Sequence, residues 1–103
     1  MGKGVGEVVA TRTIADRERR ILIEIGKPVP TLWGRDFRCG FRVQGRGEST
    51  VRGVDGLAAL YNALIAVGDE LAAARREGAD LTVFGQFDMR FPVRAPRGRN
   101  RRR

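Results

Sequence analysis

Few side chains in this chain of 103 residues belong to the types that catalyse reactions. Histidine, the commonest general base and metal ligand, is absent, which excludes most hydrolase sites. The single cysteine, Cys39, lies in an alternating apolar pattern, which predicts a buried structural thiol and not a nucleophile. The single serine, Ser49, is interpreted as part of a turn with no base near it. The sequence therefore predicts a protein that is not an enzyme.

Ligand-binding patterns are equally sparse. Asp16 with Glu18 and Asp69 with Glu70 form acidic pairs, but neither pair recurs at the spacing that a metal site requires. The two glycine-rich fragments resemble phosphate loops only superficially, because neither lies between a strand and a helix with the required spacing. We expect no metal and no cofactor. An enzymatic site would need folding to gather arginines and carboxylates, for example Arg38, Arg42 and Glu24.

The positive charge is concentrated at the C-terminus. The net charge is +8, but residues 92–103 contain six arginines and no acid, so residues 1–91 carry 14 basic against 12 acidic side chains. This composition predicts a folded domain over 1–91 and a disordered tail over 92–103. The tail is a candidate for salt-dependent, non-specific phosphate contacts with nucleic acid. Its arginines are Arg94, Arg97, Arg99, Arg101, Arg102 and Arg103.

One long helix is predicted between Asp55, a suitable N-cap, and Gly78, a suitable C′ residue. Gly68 interrupts it at a cost of about 1 kcal/mol relative to alanine. Apolar residues at spacings of three and four predict the face that covers the sheet. These are Leu57, Leu60, Leu64, Val67 and Leu71.

The back of this helix is the first candidate protein interface. Residues 57–68 carry no charge, and small side chains allow close approach of another helix from a partner or a second copy. The residues predicted there are Ala58, Ala59, Asn62, Ala66 and Ala73. Trp33 with Arg35, on a loop rich in glycine and proline, is a further candidate anchor. The alternative for Trp33 is that it folds back over the sheet edge.

Alternating patterns predict the strands. The first two, Val5–Ile14 and Arg20–Ile25, are joined by a polar turn, and the third covers Phe37–Gln44. The last strand, Leu81–Val93, is expected to bend at Gly85 and stop at Pro92. The fold class is therefore α+β, with two layers in the order β-β-β-α-β: a mostly antiparallel sheet and one long helix packed on one face.

Four segments of the sequence resemble a family of short bacterial proteins classified as a domain of unknown function. The segments are Ala10-Thr11-Arg12-Thr13, Ile23 to Pro28, Phe37 to Val43 and Gly53-Val54-Asp55-Gly56-Leu57. The resemblance covers roughly residues 7–85 and excludes the arginine-rich tail. It implies no catalytic or ligand-binding residue.

Two functional hypotheses remain. The preferred one is a small non-catalytic interaction domain that binds itself or another protein through the helix back or a sheet edge. The alternative is an accessory protein that binds nucleic acid through its tail. The two differ in salt dependence, because phosphate binding weakens steeply with salt and apolar interfaces do not. No apolar run approaches the roughly 20 residues of a membrane helix and no secretory signal is found, so we expect a cytoplasmic protein without membrane contact.

Overall fold

A computed structural model describes residues 4–32 and 34–94 of the chain. These residues form one antiparallel sheet and one helix, which confirms the predicted α+β class. The elements, in chain order, are β1 (Val8–Asp16), β2 (Arg19–Gly26), β3 (Val29–Pro30), β4 (Phe37–Val43), β5 (Gly47–Gly53), α1 (Gly56–Arg76) and β6 (Leu81–Thr82). Across the sheet, β5 pairs with β4, β4 with both β2 and β3, β2 with β1, and β1 with β6.

The first strand starts later than the sequence predicts. Val5 does not belong to β1 but is buried on the outer face of the sheet, the face away from the helix. It packs where Gly26 and Gly40 provide no side chain, since a Cβ at Gly40 would lie 3.0 Å from the Cα of Val5. The two glycines therefore make room for an N-terminal segment that crosses the sheet.

The segment interpreted as a turn around Ser49 is a full strand, which corrects the prediction. All seven residues of β5 pair with β4, from Phe37 opposite Gly53 to Val43 opposite Gly47. The actual turn is shorter and is closed by the Arg46 N–H, which donates to the Val43 carbonyl at 2.9 Å. The strand was not recognised in the sequence because it has glycine at both ends and several polar side chains.

The predicted last strand is wrong over most of its length. Only Leu81–Thr82 forms β6, which pairs with the end of β1 at Asp16 and Ala15. Val83 and Gln86 then exchange two backbone hydrogen bonds of 2.9 Å around a tight turn. Phe84 at the head of this turn has a φ of 51° and is 89% exposed. The chain therefore leaves β1 after two paired residues.

Both ends of α1 form as predicted. The Asp55 carboxylate accepts a hydrogen bond of 2.8 Å from the Ala58 N–H. Gly78 has a φ of 109°, and the N–H of Ala79 donates to the Ala74 carbonyl at 3.0 Å. This is the Schellman arrangement, in which a left-handed glycine satisfies the last free carbonyls of a helix.

Four of the five predicted inward residues of the helix reach the core, but alanines make its closest contact with the sheet. It packs on β4 and β5 through Ala59 and Ala63, which are both fully buried, while Leu57 is 76% exposed. At Gly53 a Cβ would lie 2.5 Å from the Ala58 carbonyl carbon, inside the helix backbone. Small side chains on both elements thus let the helix approach the sheet more closely than a leucine face would allow.

The core lies between this helix and the inner face of the sheet. The predicted inward residues of β2 and β4 are confirmed there, and Val67 and Leu71 join them from the helix. The buried members from the sheet and the C-terminal segment are Ile14, Ile23, Ile25, Cys39, Phe41, Val43, Leu81, Val83 and Met89.

The helix also meets the length and composition criteria for crossing a membrane. It has 21 residues, and an 18-residue window reaches a mean hydropathy of 1.4, although the sequence predicts no such segment. A third of that window is buried within the molecule, and core helices of soluble domains meet the same criteria.

The close helix contact predicts opposite effects of two Gly→Ala substitutions. Gly53→Ala is expected to lower the free energy of unfolding by about 1 to 3 kcal/mol, because the new methyl group overlaps the helix backbone. Gly56→Ala is the matched control, since its Cβ would make ordinary contacts of 3.7 to 3.9 Å with Pro28 and Phe37. It is expected to be neutral or stabilising by up to about 1 kcal/mol. Urea denaturation measures both, and equal effects would contradict the packing.

Candidate protein-interaction edge

Most residues of the predicted interface on the helix back make contacts within the domain. Ala59 is a core residue, and Ala66 is half-buried against the core. Asn62 is exposed, but its side-chain amide donates to the Arg52 carbonyl of β5 at 2.8 Å. Ala73 is half-buried, and Trp33 lies outside the described residues. These positions therefore do not form one free surface.

A different side of the helix is covered by the segment that follows β6. We call residues 87–94 the strap. A Cβ at Gly68 would lie 3.4 Å from both the Phe91 Cβ and the Pro92 carbonyl oxygen, so the strap crosses α1 at this glycine. Gly68, which lowers the helix propensity of this segment, is therefore the position at which the strap packs.

Two arginines hold the strap through its backbone. The Arg12 guanidinium donates to the Met89 carbonyl at 2.8 Å and to the Arg90 carbonyl at 3.1 Å, and it lies 4.9 Å from the centre of the Phe91 ring. From the helix, Arg75 donates to the carbonyls of Leu81 and Phe87. Charged donors make the stronger class of hydrogen bond, so these contacts fix the strap without strand pairing.

The strap extends beyond the predicted domain boundary. Arg94, assigned from the sequence to a disordered tail and to nucleic-acid binding, pairs with Asp69 of α1 at 2.6 Å. Its charge is thus balanced by the folded domain. The other tail arginines, at positions 97, 99, 101, 102 and 103, lie outside the described residues.

The two candidate nucleophiles of the sequence, Cys39 and Ser49, differ in exposure. The Cys39 thiol is fully buried and donates to the Gly26 carbonyl at 3.2 Å, and burial raises its pKa. Ser49 is exposed on β5. In residues 4–32 and 34–94, no group of three or more histidine, cysteine, aspartate or glutamate side chains is placed to hold a metal ion.

The arginines and carboxylates of the outer face form a cross-strand ladder. Arg42 of β4 pairs with Glu24 on one side and with Glu48 at 3.3 Å on the other, and these contacts raise the pKa of its guanidinium. Arg38 does not join this ladder but stands opposite Arg52. The Arg42 guanidinium is thus paired with a carboxylate on both sides, as in a structural cross-strand salt bridge.

The largest described cleft, of about 350 Å³, lies at the C-terminal end of the helix. Arg46 enters it from the β4–β5 turn and bonds to Glu70 at 2.8 Å and to Glu77 at 3.0 Å. Hydrogen bonds from Arg46 lower the pKa of Glu77. These ion pairs tie the turn to the helix, and Asp16, Arg17 and Arg19 line the other side of the cleft.

One sheet edge, in contrast, is open. Among residues 4–32 and 34–94, β1 pairs with β2 from Val8 to Asp16, with a bulge between Val8 and Ala10, but has a neighbour on its other side only at Ala15 and Asp16. From Val8 to Thr11 every residue is exposed and uncharged, and Val9 is 51% exposed. The open edge was not expected from the sequence, because the predicted strand Leu81–Val93 would have covered it.

The backbone groups of this open edge can be assigned from the neighbouring strands. The Gln44 N–H donates to the Leu22 carbonyl at 3.0 Å, so Leu22 directs its backbone groups towards β4. Because these directions alternate along a strand, Leu22's cross-strand partner, Thr13, directs its own groups away from β2. Thr11, two residues earlier, does the same. Thr11 and Thr13 thus offer two N–H and two carbonyl groups at the open edge.

The opposite edge of the sheet is protected. β5 pairs with β4 alone, but Glu48 and Arg52 place charges along it, and Asn62 binds its backbone from the helix. Charged side chains and covering elements are the usual means by which proteins prevent edge strands from pairing. The protection of β5 makes the uncharged start of β1 distinctive.

A small cavity adjoins the open edge on the inner face. It measures about 150 Å³ and lies between β1, β2, the helix and the strap. Its lining is Ala10, Thr11, Arg12, Ile23, Ile25, Leu64, Arg90 and Phe91. Apolar side chains thus surround a space whose rim carries two arginines and, among these described residues, no acid.

Comparison with protein families identifies the domain. A family model described as "Domain of unknown function (DUF6968)" matches residues 10–93. The chain belongs to the DUF6968 family. This confirms the resemblance to an uncharacterised family, and it extends the shared domain beyond residue 85 to include most of the strap. Comparisons with curated proteins and with solved structures give no match.

The strap contacts of this DUF6968 domain predict a stability effect of Arg12. Arg12→Met keeps the aliphatic stem but removes the bonds to the Met89 and Arg90 carbonyls, so we expect a loss of about 1 to 3 kcal/mol in unfolding free energy. Hydrogen exchange in residues 88–93 should also accelerate. Arg38→Met is the control, because Arg38 is exposed, and its expected effect is within about 0.5 kcal/mol. Similar exchange in both variants would show that Arg12 does not hold the strap.

Proposed function

We propose that this domain is a non-catalytic protein-interaction module that binds an extended protein segment along the open edge of β1. The observation that carries the proposal is the stretch Val8–Thr13, which is exposed except at the half-buried Arg12 and has no strand neighbour on one side among the described residues. An incoming strand forms backbone hydrogen bonds with such an edge, a recognised mode of peptide binding.

Three features favour the edge of β1 over the other candidate surfaces. The predicted interface on the helix back is partly used by the core and by the bond from Asn62 to β5. The edge of β5 carries Glu48, Arg52 and the Asn62 contact. The start of β1 has a bulge between Val8 and Ala10 but carries neither charges nor a covering side chain, and an edge without these is a template for pairing with another chain.

The turn after β6 supports the same proposal. If the chain had continued as a strand from Thr82, it would have covered the edge of β1 up to its N-terminal end. Instead, the bonded pair Val83 and Gln86 redirects it over the helix. The domain thus uses its own C-terminal segment for packing and leaves the edge available.

A proline substitution tests the proposal. Thr11→Pro removes an N–H that faces the open edge and is not used in pairing with β2, so the fold should be retained while strand addition is blocked. Thr11→Val keeps the N–H and is the matched control. Val9→Lys is a second blocking variant that places a charge at the edge.

The variants are compared as baits in quantitative pull-downs from cells that produce the protein, with light scattering to detect self-association. We expect a partner retained by the native chain and by Thr11→Val to fall at least about tenfold with Thr11→Pro and Val9→Lys. Circular dichroism verifies the fold of each variant. Identical protein retention and oligomeric state in all four chains would contradict binding at this edge.

A further inference from the structure

We infer that the segment bound at β1 comes from a different protein and carries one large apolar side chain flanked, two residues away on each side, by acidic residues. This inference rests on the proposed binding along β1 and specifies the chemistry of the partner. It is derived from the cavity beside the open edge and from the charges on the cavity rim.

The cavity receives a side chain from an added strand. Ala10 and Arg12 of β1 face the inner side of the sheet and line the cavity, so alternate residues of a strand added beside them face the same side. The volume of about 150 Å³ is of the size that admits a benzene-sized group when the lining is aliphatic. A leucine, isoleucine or phenylalanine side chain therefore fits the space between Ile25, Leu64 and Phe91.

The rim determines the charge of the neighbouring residues. Arg12 and Arg90 line the same cavity, and no carboxylate is among its described lining residues. Arg12 donates to strap carbonyls, which are neutral acceptors and leave its positive charge unbalanced. Side chains two residues before and after the apolar one point to the same face and reach this rim. Acidic residues at these positions complement the two guanidinium groups.

The same charges argue against a second copy of this chain as the occupant. In an antiparallel β1–β1 pair, the inner-facing residues supplied by the second strand would be Ala10, Arg12 and Ile14. They would bring another guanidinium to a rim that already has two, and like charges across strands are destabilising. The partner is therefore a protein whose extended segment is acidic on this face.

A designed peptide tests this chemistry. The probe is acetyl-Thr-Glu-Thr-Leu-Thr-Glu-Thr-amide with a fluorescent label, and its binding to the full chain is measured by fluorescence polarisation at low salt. Leu→Ala in the peptide should weaken binding about tenfold through loss of apolar burial. Exchange of both glutamates for lysine should weaken it at least about fivefold.

Domain variants locate the contact. Arg90→Glu should weaken the glutamate peptide about fivefold and improve the lysine peptide, whereas Arg20→Glu, on the outer face, should do neither. Ala10→Phe, which fills the cavity, should reduce binding about tenfold, and Thr13→Phe places the same ring on the outer face as a control.

The outcomes separate this inference from the proposed function. Loss of peptide binding with Thr11→Pro, together with equal binding of the leucine, alanine and lysine peptides, would retain the edge and overturn the inferred partner chemistry. Peptide binding that is unaffected by Thr11→Pro would overturn the edge itself. Absence of binding up to about 1 mM, or concentration-dependent dimerisation that Thr11→Pro abolishes, would also overturn the inference.

Discussion

The proposed binding edge of β1 depends on the hydrogen bonds by which two arginines hold the C-terminal segment. Arg12 bonds the Met89 and Arg90 carbonyls, and Arg75 bonds those of Leu81 and Phe87, so the C-terminal segment is held over the helix. A chain held there by side chains cannot also pair with the backbone of β1 as a strand. The same contacts therefore stabilise the core and keep a sheet edge open, which links packing directly to the proposed binding.

The sequence predicts those elements that have a regular spacing of apolar residues or clear capping residues at their ends. The helix between Asp55 and Gly78 is found because a carboxylate cap and a left-handed glycine are local signals. The inward faces of β2 and β4 are found because isoleucine and phenylalanine alternate with polar residues. The family resemblance also follows from these segments, and the family match confirms it.

The features that the sequence does not reveal depend on contacts between distant segments. Leucine spacing predicts most of the inward face of the helix but not its closest contact with the sheet, which alanines make because Gly53 leaves room for them. The strand character of residues 83–93 is overridden by a two-bond turn and by Arg12, which lies over 70 residues away in the chain. Charge composition cannot show that Arg94 pairs with Asp69. The candidate site is formed by these contacts between distant segments, so the sequence predicts only that its β1 residues belong to a strand.

The sheet of this domain has one protected edge, at β5, and one edge, at the start of β1, whose backbone groups are open to an added strand. The β5 edge carries charges and a side-chain contact from the helix, whereas the start of β1 is uncharged and adjoins an apolar cavity with a basic rim. Backbone hydrogen bonding would provide affinity for an extended segment, and the cavity and its arginines would provide specificity. Under the proposed function, this division of roles would let a domain of this size recognise an extended partner segment.

Residue-resolved hydrogen exchange of the isolated, dilute protein tests the openness of β1 most directly. The amides of Arg12 and Ile14 lie in the ladder with β2, whereas those of Thr11 and Thr13 face the open edge. The account predicts that the two threonine amides exchange at least about 100-fold faster than their neighbours, since no backbone hydrogen bond protects them. Equal protection of all four amides would show that another segment of the chain pairs with β1, and it would contradict the proposed binding edge.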